Sequence, residues 1–158
     1  MKSHAPDDYQ NPFIRIVQGV EDDATLTKQS DVFYQDATLT AFVCSGRPPN
    51  IPFSTLVIPN TPFENLYEMP DNVLCAVHRF AKRLALALKE QFGCGGVTLR
   101  QHNEPTGGQD VWHYHLHVMP RYQGDLFHVE NWHWIETTPT ERAPFAEKLR
   151  QYFEIRGR

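Results

Sequence analysis

His113, His115 and His117 alternate with Tyr114 and Leu116 in the stretch H-Y-H-L-H, and three imidazoles at that spacing call for a chemical explanation. Side chains alternate across an extended strand, so the three histidines share one face while Tyr114, Leu116 and Val118 point the other way, into a core. A solvated polar surface is the plainest account, but histidine is an uncommon choice for solvation alone. A His-x-His pair can place two imidazoles on one metal ion. The outer pair, however, lies about 13 Å apart at ~3.3 Å rise per residue, so all three cannot reach one ion. The cupin type of metal barrel wants a Gly six residues before the first His, which Gly107 supplies. It also wants a Glu four or five residues after the second, where Met119 and Pro120 stand.

Nucleophilic attack by imidazole on phosphorus uses all the unusual features together. Neutral histidine titrates near physiological pH and is a good nucleophile toward phosphoryl centres, so a covalent intermediate divides one displacement into two. Neighbouring imidazoles hold the tautomer and donate to phosphate oxygens as charge shifts. Asn103, Gln109 and the amides of Gly107 and Gly108 add neutral donors suited to an anionic group.

The elements that must position these groups are legible around them. DVFYQD and TLTAFV are two short antiparallel strands turning near Asp36 and Ala37. SGRPPNIP is a loop, and FSTLVIP is a buried strand ended by Pro59. From Met69 to Phe92, the residues Val73, Val77, Phe80, Leu84 and Leu88 recur at spacings of three and four, which predicts the longest helix. Asp71 lies in its first turn, and Gly93 follows as a C-cap. GVTLRQH is a strand, NEPTGGQ a loop, and VWHYHLHVM a strand. Thr140 to Phe153 is a terminal helix, assigned overall to 140–155, with Phe145, Leu149 and Phe153 at spacing four. Residues 1 to about 12 lack periodicity and are expected as a loosely held arm. Hairpin-length connections around a long helix, without regular βαβ units, predict one α+β domain over residues 1–158 on an antiparallel sheet.

Composition narrows the function. With 158 residues, 41% of them hydrophobic, the chain is long enough for one ordinary core. A net charge of −4 disfavours a genomic DNA or RNA partner, which wants a clustered basic face, but leaves a small anionic ligand open. Cys44, Cys75 and Cys94 are odd in number and widely spaced, against a disulfide framework and in keeping with a reducing cytoplasm. The first residues contain no apolar signal core, and no run approaches the roughly 18 apolar residues of a membrane span. A cytoplasmic protein without membrane attachment is expected.

The segment QHNEPTGGQDVWHYHLHVMPRY closely resembles the signature region of the histidine triad superfamily. His113 through Met119 fill every position of the His-φ-His-φ-His-φ-φ motif, and the likeness extends over roughly residues 12 to 127. The resemblance implies that His115, the middle histidine, is the nucleophile. It implies that His113 and His117 order the site and bind phosphate, and that Asn103 and Gln109 match positions contacting phosphate or the leaving group. Such enzymes release a nucleoside monophosphate from phosphoramidates, acyl-nucleotides or dinucleoside polyphosphates, or transfer it. The core mechanism requires no metal or other cofactor, and a homodimer is implied. The alternatives are a non-catalytic nucleotide-binding module and a His-x-His metal protein.

Departures from the family pattern are equally specific. Many members open a zinc site with Cys-x-x-Cys where this chain reads NPFI, with Asn11 and Ile14, so that zinc is expected to be absent. A common Gly-His pair is replaced by Phe53 and Ser54. Ala41 through Asn60 contain no acid to hold ribose hydroxyls, leaving Asn50 as a weak candidate. Trp132, His133 and Trp134 are expected to pack against the sheet or a partner rather than over a base. His78 reads as an ordinary helix-surface residue, and Arg100 and Arg121 either bring positive potential to the phosphates or form surface ion pairs.

Overall fold

The computed structural model describes residues 3–23, 25–128 and 133–156. Its frame is a five-stranded antiparallel sheet of β1 (Val32–Gln35), β2 (Leu39–Val43), β4 (Thr55–Pro59), β5 (Gly96–Arg100) and β6 (Leu116–Arg121), in the order β1-β2-β4-β6-β5. A two-residue pair, β3 (Gly46–Arg47) with β7 (Ile135–Glu136), stands beside it. The β1–β2 hairpin turns at the expected place because the Asp36 carboxylate accepts the backbone amides of Thr38 and Leu39 at 2.7 and 2.9 Å.

Strands β2 and β4 are buried along their whole length, since both faces of the sheet are covered. On one face lie α2 (Asp71–Phe92) and α3 (Pro139–Arg156), whose Val77, Phe80, Leu84, Leu88, Leu149 and Phe153 pack with Tyr114, Leu116 and Val118. The apolar stripe read from residues 69–92 is the one that docks, and Gly93 closes the helix at φ +63°, a conformation that favours glycine. The other face carries a smaller cluster of Phe42, Leu56 and Ile58 beneath Phe13 and Ile16 of α1 (Pro12–Val17). The segment around Asn11 was expected as part of a loose arm. Instead, Asn11 Oδ1 caps α1 by accepting from the Phe13 and Ile14 amides, with Pro12 as the first helical residue. Ahead of it, the Glu64 carboxylate accepts from Ser3 Oγ and the His4 amide, and His4 stacks on Trp112.

The predicted strand over VWHYHLHVM is a true strand only from Leu116 onward. The last backbone pair between β4 and β6 is Val57 with Leu116. Beyond it, the Pro59 carbonyl is occupied by the His113 ring and the Tyr114 amide donates to Phe63 instead, so the ladder cannot continue through 113–115.

Arg142 of α3 is 2% exposed, and Asp31 is fully buried. The guanidinium donates Nε and Nη2 to the Asp31 carboxylate at 2.9 and 2.8 Å, and donates further to the carbonyls of Leu26 and Thr137. It thereby ties the 25–31 segment and the start of α3 together. Removing one partner of a buried pair leaves the other charge uncompensated. Arg142→Met is therefore expected to destabilise the fold by about 3–5 kcal/mol, measured by denaturant unfolding; a loss below about 1 kcal/mol would contradict this assignment.

Candidate active site

All three triad histidines are buried, at 0%, 4% and 8% exposure for His113, His115 and His117. His113 and His115 precede β6, and His117 lies within it. The alternation expected from sequence persists although the strand does not, because Tyr114, Leu116 and Val118 still enter the helix-side core.

The hydrogen bonds determine which ring nitrogens carry protons. A carbonyl oxygen can only accept, so His113 Nε2, 2.9 Å from the Pro59 oxygen, must be protonated. Its Nδ1 then presents a lone pair, which takes the Asn11 Nδ2 amide at 3.1 Å. Likewise His115 Nδ1 must donate to the His113 carbonyl at 2.8 Å. In the neutral ring this leaves the lone pair on His115 Nε2. Burial is the main force on the titration of all three rings. It pushes His113 down to about 4 and lowers His115, against a smaller upward pull from the His113 carbonyl and Asp110. His117 is driven well below the ordinary imidazole range by burial, with His115 and Arg100 adding to it.

His115 and His117 line a cavity of about 640 Å³, a size suited to a small organic ligand. Phe42 and Leu56 form its apolar floor, Phe13 of α1 stands edge-on to His115 at 5.3 Å, and Thr25, Leu26 and Thr27 wall it. Trp134 also lines the cavity, where its ring stacks on His117 at 5.4 Å and 24°. Because His117 belongs to β6, this is the packing against the sheet expected from sequence, and the same ring also borders the cavity. His133 is exposed, and Trp132 lies outside the described residues. Among the described residues, His117 Nδ1 has no hydrogen-bond partner, although a buried unpaired nitrogen is costly.

Asn103 and Gln109 lie outside the cavity lining, and their amides bind the chain itself. Asn103 Oδ1 accepts from the Leu66 amide at 2.8 Å, and its Nδ2 donates to Gln101. Gln109 Nε2 donates to the Glu64 and Val111 carbonyls, and its Oε1 accepts from the Glu104 amide. The Gly107 and Gly108 amides close a turn on Glu104 and Pro105. Asn50 is exposed and away from the cavity lining. His78 is exposed and lies 3.4 Å from the Tyr114 hydroxyl. Arg121 donates to both oxygens of Asp125 at 2.6 Å. Arg100, by contrast, lies beside His117 in the β5–β6 register, with its Nε on His102 Nε2 at 2.6 Å.

Sequence reasoning gave Asn11 no role beyond standing where a zinc cysteine would be. An Asn-Pro pair opening an apolar run is nevertheless a helix-start signal, and it marked this residue. Its side chain is shared between the α1 cap and His113 Nδ1, and Ile14 offers no donor, so this corner does not fit a zinc ion. Among the described residues, no group of three or more His, Cys, Asp or Glu is arranged to hold a metal. No described helix is long and apolar enough to cross a membrane.

Comparison with known proteins bears on the family and the fold. The family model described as the HIT domain matches residues 25–124. "Protein hit" of Bacillus subtilis is 39% identical over 74 residues, covering 46% of this chain and 51% of that protein. A bis(5'-adenosyl)-triphosphatase of Dictyostelium discoideum is 26% identical over 101 residues, covering 64% and 66% of the respective chains. The matched region thus spans about half to two-thirds of these relatives' length. A Hit-like protein involved in cell-cycle regulation from Bartonella henselae, crystallised with an unknown ligand, superposes with a TM-score of 0.72 at 28% identity, covering 92% of this chain and 98% of that one. The motif, the fold and the family match converge, and the chain belongs to the HIT family.

Proposed function

We propose that the protein is a nucleotide hydrolase or nucleotidyltransferase that attacks the α-phosphorus of its substrate with His115 and passes through a nucleotidyl-histidine intermediate. The observation that carries this reading is the 2.8 Å hydrogen bond from His115 Nδ1 to the His113 carbonyl, on a ring that lines the cavity. It holds the ring in the tautomer whose Nε2 is nucleophilic. The triphosphatase relative supports a nucleotide substrate. Candidate substrates are nucleoside phosphoramidates, acyl-nucleotides and dinucleoside polyphosphates.

In the first step Nε2 bonds to phosphorus, and the leaving group departs with the electron pair of the broken bond. In this reading His117 donates to the phosphoryl oxygens, and His113, held between Pro59 and Asn11, fixes the carbonyl that orients His115. In the second step water bonds to phosphorus and loses a proton to solvent, while the N–P electron pair returns to Nε2. Asn103 and Gln109 act in this scheme by holding the 101–109 loop in place.

Replacing His115 with Ala is expected to cost several orders of magnitude in turnover, while nucleotide affinity changes little because the cavity walls remain. Peptide mass spectrometry after an acid-free quench should find one nucleoside monophosphate on the His115 peptide. An adduct elsewhere, or binding with no turnover in the unaltered protein, would sink this reading and favour a non-catalytic nucleotide-binding module.

Protonation of His115 removes the attacking lone pair, so the rate falls as pH drops through its pKa. That pKa is lowered from 6.5, chiefly by burial. A pH profile of kcat/KM should therefore retain more than half of its plateau at pH 6.5. An acid limb centred above that value would contradict the site's electrostatics.

We also propose that the chain assembles as a homodimer, as its family resemblance implies. Light scattering should give about twice the 18.3 kDa chain mass; a monomeric mass throughout the micromolar range would refute it.

A further inference from the structure

Four side chains form a row across the triad face of the sheet. Phe42 of β2 pairs with Leu56 of β4, Leu56 with His117 of β6, and His117 with Arg100 of β5. Directly opposed residues on neighbouring strands project to the same face, so the row reads apolar, apolar, imidazole, guanidinium. The cavity covers only part of it: Phe42, Leu56 and His117 line the cavity, and Arg100 stands beyond His117 on the edge strand. If a nucleoside sits on Phe42 and Leu56 with its phosphorus at the histidines, a leaving group directed out of the cavity past His117 meets Arg100.

Arg100 is held in place for that encounter. Its Nε donates to His102 Nε2 at 2.6 Å, and His102 Nδ1 in turn donates to the Gly107 carbonyl at 2.6 Å. Gly108 permits this packing, because a Cβ there would lie 3.1 Å from His102 Nδ1 on a backbone at φ +86°. The Asp110 carboxylate acts on both Arg100 and His115 and moderates the positive field there.

We propose that Arg100 binds the leaving group, and that the site is built for nucleotides whose leaving group is a multiply charged phosphate chain, as in a dinucleoside polyphosphate, rather than an amine. The proposal rests on the nucleotidyl-histidine reading above. When Nε2 of His115 attacks the α-phosphorus of a dinucleoside triphosphate, the bond to the bridging oxygen breaks. The nucleoside diphosphate then leaves with that electron pair on its terminal oxygen. The positive charge of the guanidinium offsets this developing charge. An amine leaves neutral after taking one proton from solvent and gains nothing from a fixed cation.

The test compares kcat/KM on diadenosine triphosphate and on adenosine phosphoramidate for the unaltered protein, Arg100→Gln and Arg100→Lys. In Arg100→Gln the triphosphate value should fall about 10- to 100-fold, and by about tenfold or more beyond any fall on the phosphoramidate. Arg100→Lys should recover part of the loss, since it keeps the charge. Adenosine monophosphate affinity, measured by calorimetry on the same samples, separates leaving-group binding from collapse of the site. Equal losses on both substrates, no loss, or a parallel loss of monophosphate affinity overturns the proposal. An unaltered protein active on the phosphoramidate alone also overturns it, while leaving the nucleotidyl-histidine reading intact. No turnover of either substrate and no His115 adduct overturns both.

Discussion

The hydrogen bond from His115 Nδ1 to the carbonyl of His113 spans two residues of the same segment, and it forms where the backbone has left the regular sheet just before β6. There the Pro59 carbonyl turns to the His113 ring and the Tyr114 amide turns to Phe63. The irregular backbone at 113–115 is thus where one histidine orients the next. Asn11 completes the chain of restraint by closing the other side of the His113 ring while capping α1, so the helix that roofs the cavity and the residue whose carbonyl orients His115 share one amide.

Burial then sets the protonation states. Three imidazoles packed side by side, beneath Phe13 and beside Trp134, lie where a positive charge is poorly solvated, and each is pushed toward the neutral form. The buried Arg142–Asp31 pair contributes at a distance, because it anchors the segment whose Thr25, Leu26 and Thr27 wall the cavity. The floor of the site, at Phe42 and Leu56, is apolar, and the sheet edge beyond His117, at Arg100, carries a cation.

Much of this was legible in the sequence. Two-residue periodicity placed the histidines on one face and Tyr114, Leu116 and Val118 in the core, and the 3.6-residue stripe placed α2 nearly to the residue. The strand over VWHYHLHVM was drawn too long because alternation reports which way side chains point. It does not report whether backbone partners exist, and these depended on Pro59 and Phe63, more than fifty residues away. Asn103 and Gln109 showed as polar groups near the motif, but sequence carries no sign that their amides are engaged by Leu66, Glu64 and Glu104. Trp134 reaches His117 through the β3–β7 pairing, a long-range contact that no local pattern encodes.

The central claim is the tautomer and charge of one ring, and nitrogen-15 NMR of the imidazoles observes both directly. At neutral pH the account predicts that His115 is neutral, with a proton on Nδ1 and an unprotonated, pyridine-like Nε2. A His115 protonated on Nε2 alone, or one that remains doubly protonated at pH 7, would contradict it.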